Sequence, residues 1–192
     1  RVQGIRFCFG ATMAIRRQTL REVGGLEALS DYLADDYMLG NLVSQHGYTV
    51  HLSNYVVENV VQEKDLRSLF RHELRWARTI RTVEPVGYAF SVTMYGIPMA
   101  ILAAVFNEAT VGVAPFEYGL LALVVLLRLV LHHMVRTVLK PAGAWSPWLV
   151  PVRDILSFAV WAASYFGHDV TWRGKAFSVD THGQLAEKRI DN

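Results

Sequence analysis

Two long apolar stretches constrain the fold of this chain more than any other feature. Residues 88–106 contain no charged side chain and approach the roughly 20 residues that a helix needs to cross a bilayer core. Residues 116–139 are also long enough, and they carry Arg128, His132 and Arg136 along one face. Ionisable groups inside a span usually face a bundle interior, a polar cavity or the interface. The two stretches therefore predict two transmembrane helices.

A third apolar stretch, residues 148–167, is interrupted by Pro151, Arg153 and Asp154. The positive-inside rule puts the arginine-rich residues 64–81 in the cytoplasm and the loop 107–117 outside. A complete third span would leave the basic C-terminal tail outside, against that rule. We therefore expect residues 148–167 to form a re-entrant or interfacial segment.

The N-terminal third has the composition of a globular α/β lobe. Residues 5–15 predict a buried strand with a close backbone approach at Gly10, and residues 48–57 predict one or two further strands. Residues 16–23 predict a helix that stops at Gly24-Gly25, and residues 32–47 predict another helix.

The single cysteine and the first residue of the chain give two further expectations. A single cysteine, Cys8, rules out an internal disulfide framework and suits a lobe that faces the cytoplasm. The chain opens at Arg1 with no initiator methionine, so we expect an N-terminal portion to precede it. Four regions are predicted: a catalytic-lobe portion (1–63), an amphipathic helix (64–85), a membrane region (86–168) and a cytoplasmic tail (169–192).

The predicted helix over residues 64–81 carries its cations on one face. Helical spacing groups five basic side chains there: Lys64, Arg67, Arg71, Arg75 and Arg78. Beside a membrane segment, such a helix suits the interface, with its cations toward anionic head groups or substrate phosphates. The alternative is a solvated charged face. No nucleic-acid fold signature accompanies the basic residues, so a nucleic-acid partner is not expected.

Two short motifs could carry chemistry. Asp35 and Asp36 stand side by side before a predicted helix, where an aspartate is either a helix cap or a general base for an acceptor hydroxyl. His72, Arg75 and Trp76 form one patch on the next helix, with guanidinium donors suited to a diphosphate and an indole surface suited to a sugar ring. The alternative for this patch is an interfacial tryptophan with a snorkelling arginine.

In this order, about forty residues apart and ahead of membrane spans, the two motifs resemble those of membrane-bound glycosyltransferases. The resemblance is strongest to the ceramide glucosyltransferase family, including its bacterial and hopanoid-associated members, and it covers nearly the whole chain. It rests on four segments: Gly10–Arg17 with Gly24-Gly25-Leu26, Tyr32–Leu39, Arg153-Asp154, and Trp172-Arg173-Gly174 with Phe177. His72 departs from the pattern, because the family has glutamine or arginine there.

The resemblance implies an α/β fold, the C-terminal part of a GT-A-like nucleotide-sugar lobe followed by an interfacial helix and transmembrane helices. It implies a protein of the bacterial inner membrane that transfers a hexose, glucose by default, from a UDP-sugar to a lipid such as ceramide or a hopanoid. Asp36 would be the catalytic base and Asp35 its support. His72, Arg75 and Trp76 would bind substrate, and Arg67, Arg71 and Arg78 would meet phosphates or lipid head groups.

A divalent metal, Mg²⁺ or Mn²⁺, is expected in the full-length enzyme, where it would neutralise the departing diphosphate. The sequence contains no Asp-x-Asp motif, so we expect the metal ligands to lie outside this chain and these residues alone to be inactive. Two other functions stay open. One is a processive polysaccharide synthase of the same superfamily, and the other is a non-catalytic membrane or lipid-binding module.

Overall fold

A computed structural model of the protein describes residues 4–57, 63–110, 112, 115–141, 143, 146–167, 169–172, 175–179 and 185–187. Most of these residues are helical. Short 3₁₀ turns lie at Glu27–Leu29 and Ser91–Met94. The α-helices are α1 (Arg17–Glu22), α2 (Asp35–Gln45), α3 (Leu66–Val83), α4 (Pro85–Phe90), α5 (Gly96–Thr110), α6 (Pro115–Leu139) and α7 (Leu149–Ser164).

The predicted α/β fold is wrong for this chain, because the described residues form a helical structure. Residues 5–15 and 48–57, which were expected to be strands, run without ladder pairing to any other described segment. A strand forms only where a neighbour takes up its backbone hydrogen bonds, so β-branched and aromatic composition alone was insufficient. The sheet within the described residues is a small antiparallel one after the last helix: β1 (Asp169–Trp172), β2 (Lys175–Val179) and β3 (Leu185–Glu187).

Part of the motif quoted from the C-terminal tail falls within this sheet. Trp172 ends β1, and Phe177 of β2 pairs with Val170. Arg173 and Gly174 lie outside the described residues.

A small apolar core holds α1 against α2. Its buried members are Val23, Leu29, Leu39 and Val43. The predicted stop of α1 is confirmed. Gly24 and Gly25 have φ values of 99° and 75°, in the left-handed region that a helix C-terminus uses. Helix α2 is shorter than predicted, because residues 32–34 and 46–47 are not part of it.

The N-terminal extended segment lies directly on α2. A β-carbon added to Gly40 would sit 2.5 Å from backbone atoms of Phe7, so only glycine allows this approach. The ring of Phe7 stacks on that of Tyr37, with centroids 6.1 Å apart. The residues predicted as a buried strand therefore lie on a helix surface instead of in a sheet, and the predicted burial is also wrong, because most of them are exposed.

The first apolar stretch is a broken helix and not a straight one. Helix α4 and its 3₁₀ extension, Pro85–Met94, meet α5 at a bend of 70° around Tyr95. Pro98 explains the break. Within a continuous helix its ring would clash with the carbonyl of Met94, and its nitrogen has no hydrogen to donate to that carbonyl. Together the two pieces are long and apolar enough for a bent span or a re-entrant loop.

The second apolar stretch matches its prediction. Within the described residues, the single unbroken helix long and apolar enough to cross a membrane is Phe116–Leu139, and none of its most apolar window is buried by the rest of the protein. The core helix of a water-soluble protein would be mostly covered. Exposed leucines and valines all along α6 suit contact with lipid.

Helix α7 is continuous through the residues expected to interrupt it. Pro151 lies in its first turn, where the missing N–H has no intrahelical partner in any case. Asp154 is buried and forms a bidentate ion pair with Arg128 of α6. At 16 residues, α7 is about 24 Å long, shorter than a bilayer core of about 30 Å.

The predicted amphipathic helix is confirmed as α3, and it packs on α7 and α4. Phe70, Leu74 and Ala77 of α3 meet Tyr88, Val160 and Trp161. The Tyr88 hydroxyl donates to Ser164 Oγ over 3.0 Å, and Trp161 Nε1 donates to the Tyr88 carbonyl over 3.0 Å. These contacts bring α3 close to the apolar helices.

Candidate functional site

The acidic pair lies in the first turn of α2. The backbone N–H of Asp36 donates to Asp35 Oδ1 over 2.9 Å, and that of Tyr37 donates to Asp36 Oδ1 over 2.8 Å. Ala34 occupies the N-cap position and makes no side-chain cap bond. Both carboxylates are therefore in the favourable field of the helix N-terminus, and neither is the N-cap residue itself.

Asp36 differs from Asp35 in its surroundings. Asp35 is exposed, whereas Asp36 is half-buried against the N-terminal extended segment. A β-carbon placed on Gly10 would lie 3.0 Å from Asp36 Oδ2, so the glycine leaves the space beside this oxygen open. Asp36 thus has one oxygen tied to the backbone and a second directed at a glycine. The close backbone approach predicted at Gly10 is confirmed, although no strand makes it.

The single cysteine lies within the electrostatic reach of Asp36. Burial, and after it the charge of Asp36, raise the pKa of the Cys8 thiol. A thiol whose pKa is raised is mostly protonated and unreactive near neutral pH. Cys8 is therefore not an activated nucleophile, and its titration reports the charge on Asp36.

A hydrogen bond from the residue next to Asp36 ties α2 to the end of α3. The Tyr37 hydroxyl donates to Glu84 Oε1 over 2.7 Å. Burial and this bond raise the pKa of the Tyr37 phenol. Glu84 directly follows α3 and precedes Pro85, the first residue of α4. The acidic pair is in this way connected to the helix that carries Arg75 and Trp76, about 12 Å along its axis from Glu84.

His72 and Trp76 form a small aromatic group near the middle of α3. Their rings meet edge to face with centroids 4.7 Å apart. His72 Nδ1 contacts Glu63 Oε1, so the imidazole is oriented by a carboxylate from the segment before the helix. The Trp76 side chain remains 43% exposed, and much of its apolar surface is open for a ring to stack against.

The cations of α3 fall into two groups. Arg67 and Arg71 are exposed and Arg75 is half-buried, and the structure gives none of these three guanidinium groups a hydrogen bond within the described residues. Arg78 instead donates to the carbonyl of Phe166 over 2.7 Å, and Arg81 to that of Gly167 over 3.1 Å. Since these carbonyls follow α7, the second group stabilises a helix C-terminus.

Helix α3 also carries an exposed apolar stripe beside its packed face. Leu66 is 77% exposed and Ile80 is 50% exposed, and Trp76 lies on the same side of the helix, in a row that Glu73 interrupts. The apolar side chains of α3 are thus divided between two surfaces. Phe70 and Ala77 pack inward, while this stripe is left uncovered by protein. An uncovered apolar surface, and the guanidinium groups of Arg67, Arg71 and Arg75 on the same helix, favour a position at a membrane interface.

The described residues do not assemble a metal centre. No group of three or more histidine, cysteine, aspartate or glutamate side chains comes together within them. Asp35 and Asp36 are not joined by a third side chain of these types. Consequently, no step of the chemistry below is assigned to a metal held by this part of the chain.

Several contributing residues carry no signal in the sequence. Tyr37, Glu84 and Glu63 act through contacts with partners distant along the chain, and Gly40 acts through a backbone approach that only tertiary packing creates. Arg81 could have been grouped with Arg78, because both lie in the last two turns of α3.

Comparison with known families gives a match that covers nearly the whole chain. The sequence model of the family described as Glycosyl transferase family 21 matches residues 1–185. No curated protein and no solved structure matches the chain.

Proposed function

The chain belongs to Glycosyl transferase family 21, and on that premise we propose that it transfers a hexose from a UDP-sugar to the hydroxyl of a membrane lipid. Glucose is the proposed sugar, and ceramide or a hopanoid is the proposed acceptor. The observation that carries the proposal is the Tyr37–Glu84 hydrogen bond. It connects the carboxylate pair to the helix that packs on the apolar, membrane-type part of the chain.

Asp36 is the proposed base. Its half-buried carboxylate has one oxygen fixed by a backbone N–H and the other beside Gly10, where a small polar group of an acceptor has room to approach. It would take the proton from the acceptor hydroxyl as that oxygen attacks the anomeric carbon. The bond from this carbon to the diphosphate oxygen would break, and UDP would leave with the electron pair in a single inverting displacement.

Arg75 and Trp76 are the proposed donor-binding groups. The Arg75 guanidinium has no hydrogen bond within the described residues, and its planar donors match phosphate oxygens. Trp76 offers an exposed ring face for the sugar, and His72 is held against it by Glu63. The divalent cation expected from the family resemblance stays part of the proposal, with ligands that are not among the described residues.

The membrane side of the proposal rests on α3 and α6. The exposed stripe of α3 would lie in the head-group region, with Arg67 and Arg71 turned to lipid phosphates. The uncovered surface of α6 would lie in lipid. A lipid acceptor could then present its hydroxyl at the interface without leaving the bilayer. We propose the bacterial inner membrane as the location, with the acidic pair on the cytoplasmic side.

The test uses the full-length protein in native membranes, radiolabelled UDP-sugars and a panel of lipid acceptors. Asp36→Asn is compared with Asp31→Asn, which removes an exposed carboxylate a few residues earlier. Label entering a chloroform-soluble product with the wild type and Asp31→Asn, but not with Asp36→Asn, is the expected result.

Two other results would contradict the proposal and favour a different function. Label that enters an insoluble polymer would identify a processive polysaccharide synthase. Transfer that is absent with every donor, or that is unaffected by Asp36→Asn, would favour a non-catalytic membrane module.

A further inference from the structure

A carboxylate that precedes α3 contacts the aromatic group of the candidate site and takes no part in the chemistry described above. Glu63 lies before the first residue of α3, and its Oε1 contacts Nδ1 of His72 in the second turn of that helix. The Glu63 side chain is 19% exposed and that of His72 is 27% exposed. The contact is therefore better shielded from water than an ordinary surface ion pair.

A capping box fixes the chain between Glu63 and His72. Asp65 is the N-cap residue of α3, and its Oδ1 accepts a hydrogen bond from the Ser68 backbone N–H over 2.7 Å. The Asp65 backbone N–H donates in return to Ser68 Oγ over 3.4 Å. Because the box orders the residues at the start of the helix, Glu63 is placed to reach forward to the second turn.

The contact with Glu63 determines which nitrogen of His72 carries a hydrogen. An ionised carboxylate can only accept, so Nδ1 donates to Glu63 and Nε2 is the nitrogen left for a ligand. The same imidazole meets Trp76 edge to face, with ring centroids 4.7 Å apart and ring planes at 66°. His72 and Trp76 are neighbours on one helix face. An imidazole that is fixed at Nδ1 therefore restricts the positions open to the indole.

The charge of Glu63 and its contact with His72 would change donor binding in opposite directions. By charge alone, a carboxylate on the helix proposed to meet a diphosphate repels the phosphate oxygens and weakens donor binding. By its contact, it orders a ring in advance, so less conformational entropy is lost when a ligand binds. The direction in which donor affinity changes on removal of the carboxylate shows which effect is larger.

We propose that Glu63 is a positioning residue for the donor sugar. It holds His72 through Nδ1, and His72 in turn holds the Trp76 ring in the position where the sugar stacks on its exposed surface. Glu63 itself contacts neither the sugar nor the diphosphate. This role rests on the proposed function, because it takes Trp76 to be the residue that meets the sugar of a UDP-sugar donor.

The experiment measures kcat and both KM values of the full-length protein in native membranes. Glu63→Ala is expected to raise the KM for the UDP-sugar roughly threefold to tenfold, because the rings must then be ordered by the donor itself. The kcat at saturating donor and the KM for the lipid acceptor are expected to stay the same. Glu63→Gln keeps an oxygen that can accept from Nδ1, so it should recover most of the loss. Glu27→Ala, which removes an exposed glutamate outside α3 and the segment before it, is the control and should leave the donor KM unchanged.

A double-mutant cycle shows whether Glu63 acts through His72. His72→Phe keeps a ring beside Trp76 but has no nitrogen for the carboxylate, so Glu63→Ala should cause no further change of the donor KM in that background. Equal losses in the two backgrounds would overturn the positioning role. A lower donor KM in Glu63→Ala, or a rise in the acceptor KM instead, would also overturn it.

Two further outcomes separate a structural role of Glu63 and a failure of the proposed function. Thermal unfolding of each variant checks the fold, and a Glu63→Ala variant that is destabilised but keeps the wild-type donor KM would show that the contact is only structural. A wild type that transfers no sugar would overturn the proposed function together with the positioning role. A wild type that transfers sugar, with an unaltered donor KM in Glu63→Ala, would overturn the positioning role alone.

Discussion

Two parallel hydrogen bonds join the guanidinium of Arg128 to the carboxylate of Asp154. Nε donates to Oδ2 over 2.7 Å, and NH2 donates to Oδ1 over 2.8 Å. The side chain of Asp154 is 5% exposed, and that of Arg128 is 40% exposed. The carboxylate of Asp154 is therefore buried, whereas the guanidinium of Arg128 is partly exposed. The pair joins α6 to α7 at the place where the sequence predicted an interruption of the last helix.

The first prediction concerns this pair. Arg128→Leu leaves the Asp154 charge buried without its partner, and it should lower the free energy of unfolding by about 2–3 kcal/mol, less than for a fully buried pair because Arg128 is partly exposed. The double variant Arg128→Leu/Asp154→Leu should recover most of the loss. Thermal unfolding in detergent measures both. A double variant as unstable as the single one would show that the ion pair itself, and not the orphaned charge, stabilises the helices.

The second prediction is a pH dependence at Cys8. Burial, and after it the charge of Asp36, raise the pKa of this thiol, so its thiolate is scarce at pH 8. Asp36→Asn removes the neighbouring negative charge and lowers the pKa. The rate of maleimide labelling should then rise, by less than about tenfold because burial remains. Its midpoint in a pH series should shift to lower pH. Asp31→Asn should leave the rate unchanged, and an unchanged rate in Asp36→Asn would place the carboxylate away from Cys8.

The third prediction compares two helical glycines. Gly40→Ala must push the Phe7 backbone away from α2 and should destabilise the N-terminal unit by about 1–3 kcal/mol despite the better helix propensity of alanine. Gly87→Ala, where an added β-carbon meets no atom within 4 Å, should be neutral or stabilising. Urea unfolding followed by the reactivity of Cys8 reports the N-terminal unit directly. Similar effects from both substitutions would contradict the close approach at Gly40.

The fourth prediction separates two arginines one turn apart on α3. Arg75→Gln should reduce donor affinity roughly tenfold to a hundredfold and leave the unfolding temperature unchanged, because its guanidinium is available for phosphate. Arg78→Gln should lower stability by about 1 kcal/mol, since it loses the hydrogen bond to the Phe166 carbonyl. Donor titration and thermal unfolding of the two variants give the comparison. A loss of stability in Arg75→Gln with unchanged affinity would remove Arg75 from the proposed site.

Residues 116–139 and the helix of residues 64–81 could be read from sequence, because length, hydropathy and helical spacing are local properties. The strands could not, since pairing depends on partners elsewhere. Residues 5–15 have strand-like composition, yet they lie on α2 at Gly40. The break at Tyr95 was readable in principle from Pro98, but the absence of charge in residues 88–106 favoured a straight span.

The residues of the candidate site also divide into those that the sequence reveals and those that depend on partners distant along the chain. Asp36, Arg75 and Trp76 belong to short motifs and were visible in the sequence. The Tyr37–Glu84 bond joins residues 47 positions apart, and no local pattern marks it. Arg78 was grouped with the phosphate-facing cations because helical spacing assigns a face. Helical spacing alone cannot show that Arg78 donates a hydrogen bond to the Phe166 carbonyl.

The bend of 70° at Tyr95 has a mechanical consequence. Helix α4 leaves the axis of α5 at this bend and packs on α3 and α7 through Tyr88, so a change in the height of α5 would act on α3 through α4. In a bilayer, the height of α5 follows the thickness of the hydrocarbon layer, to which apolar helices adjust. Membrane thickness would then set how far Trp76 and Arg75 stand above the lipid surface. The position of Trp76 and Arg75 relative to lipid would in this sense depend on the membrane as well as on the sequence.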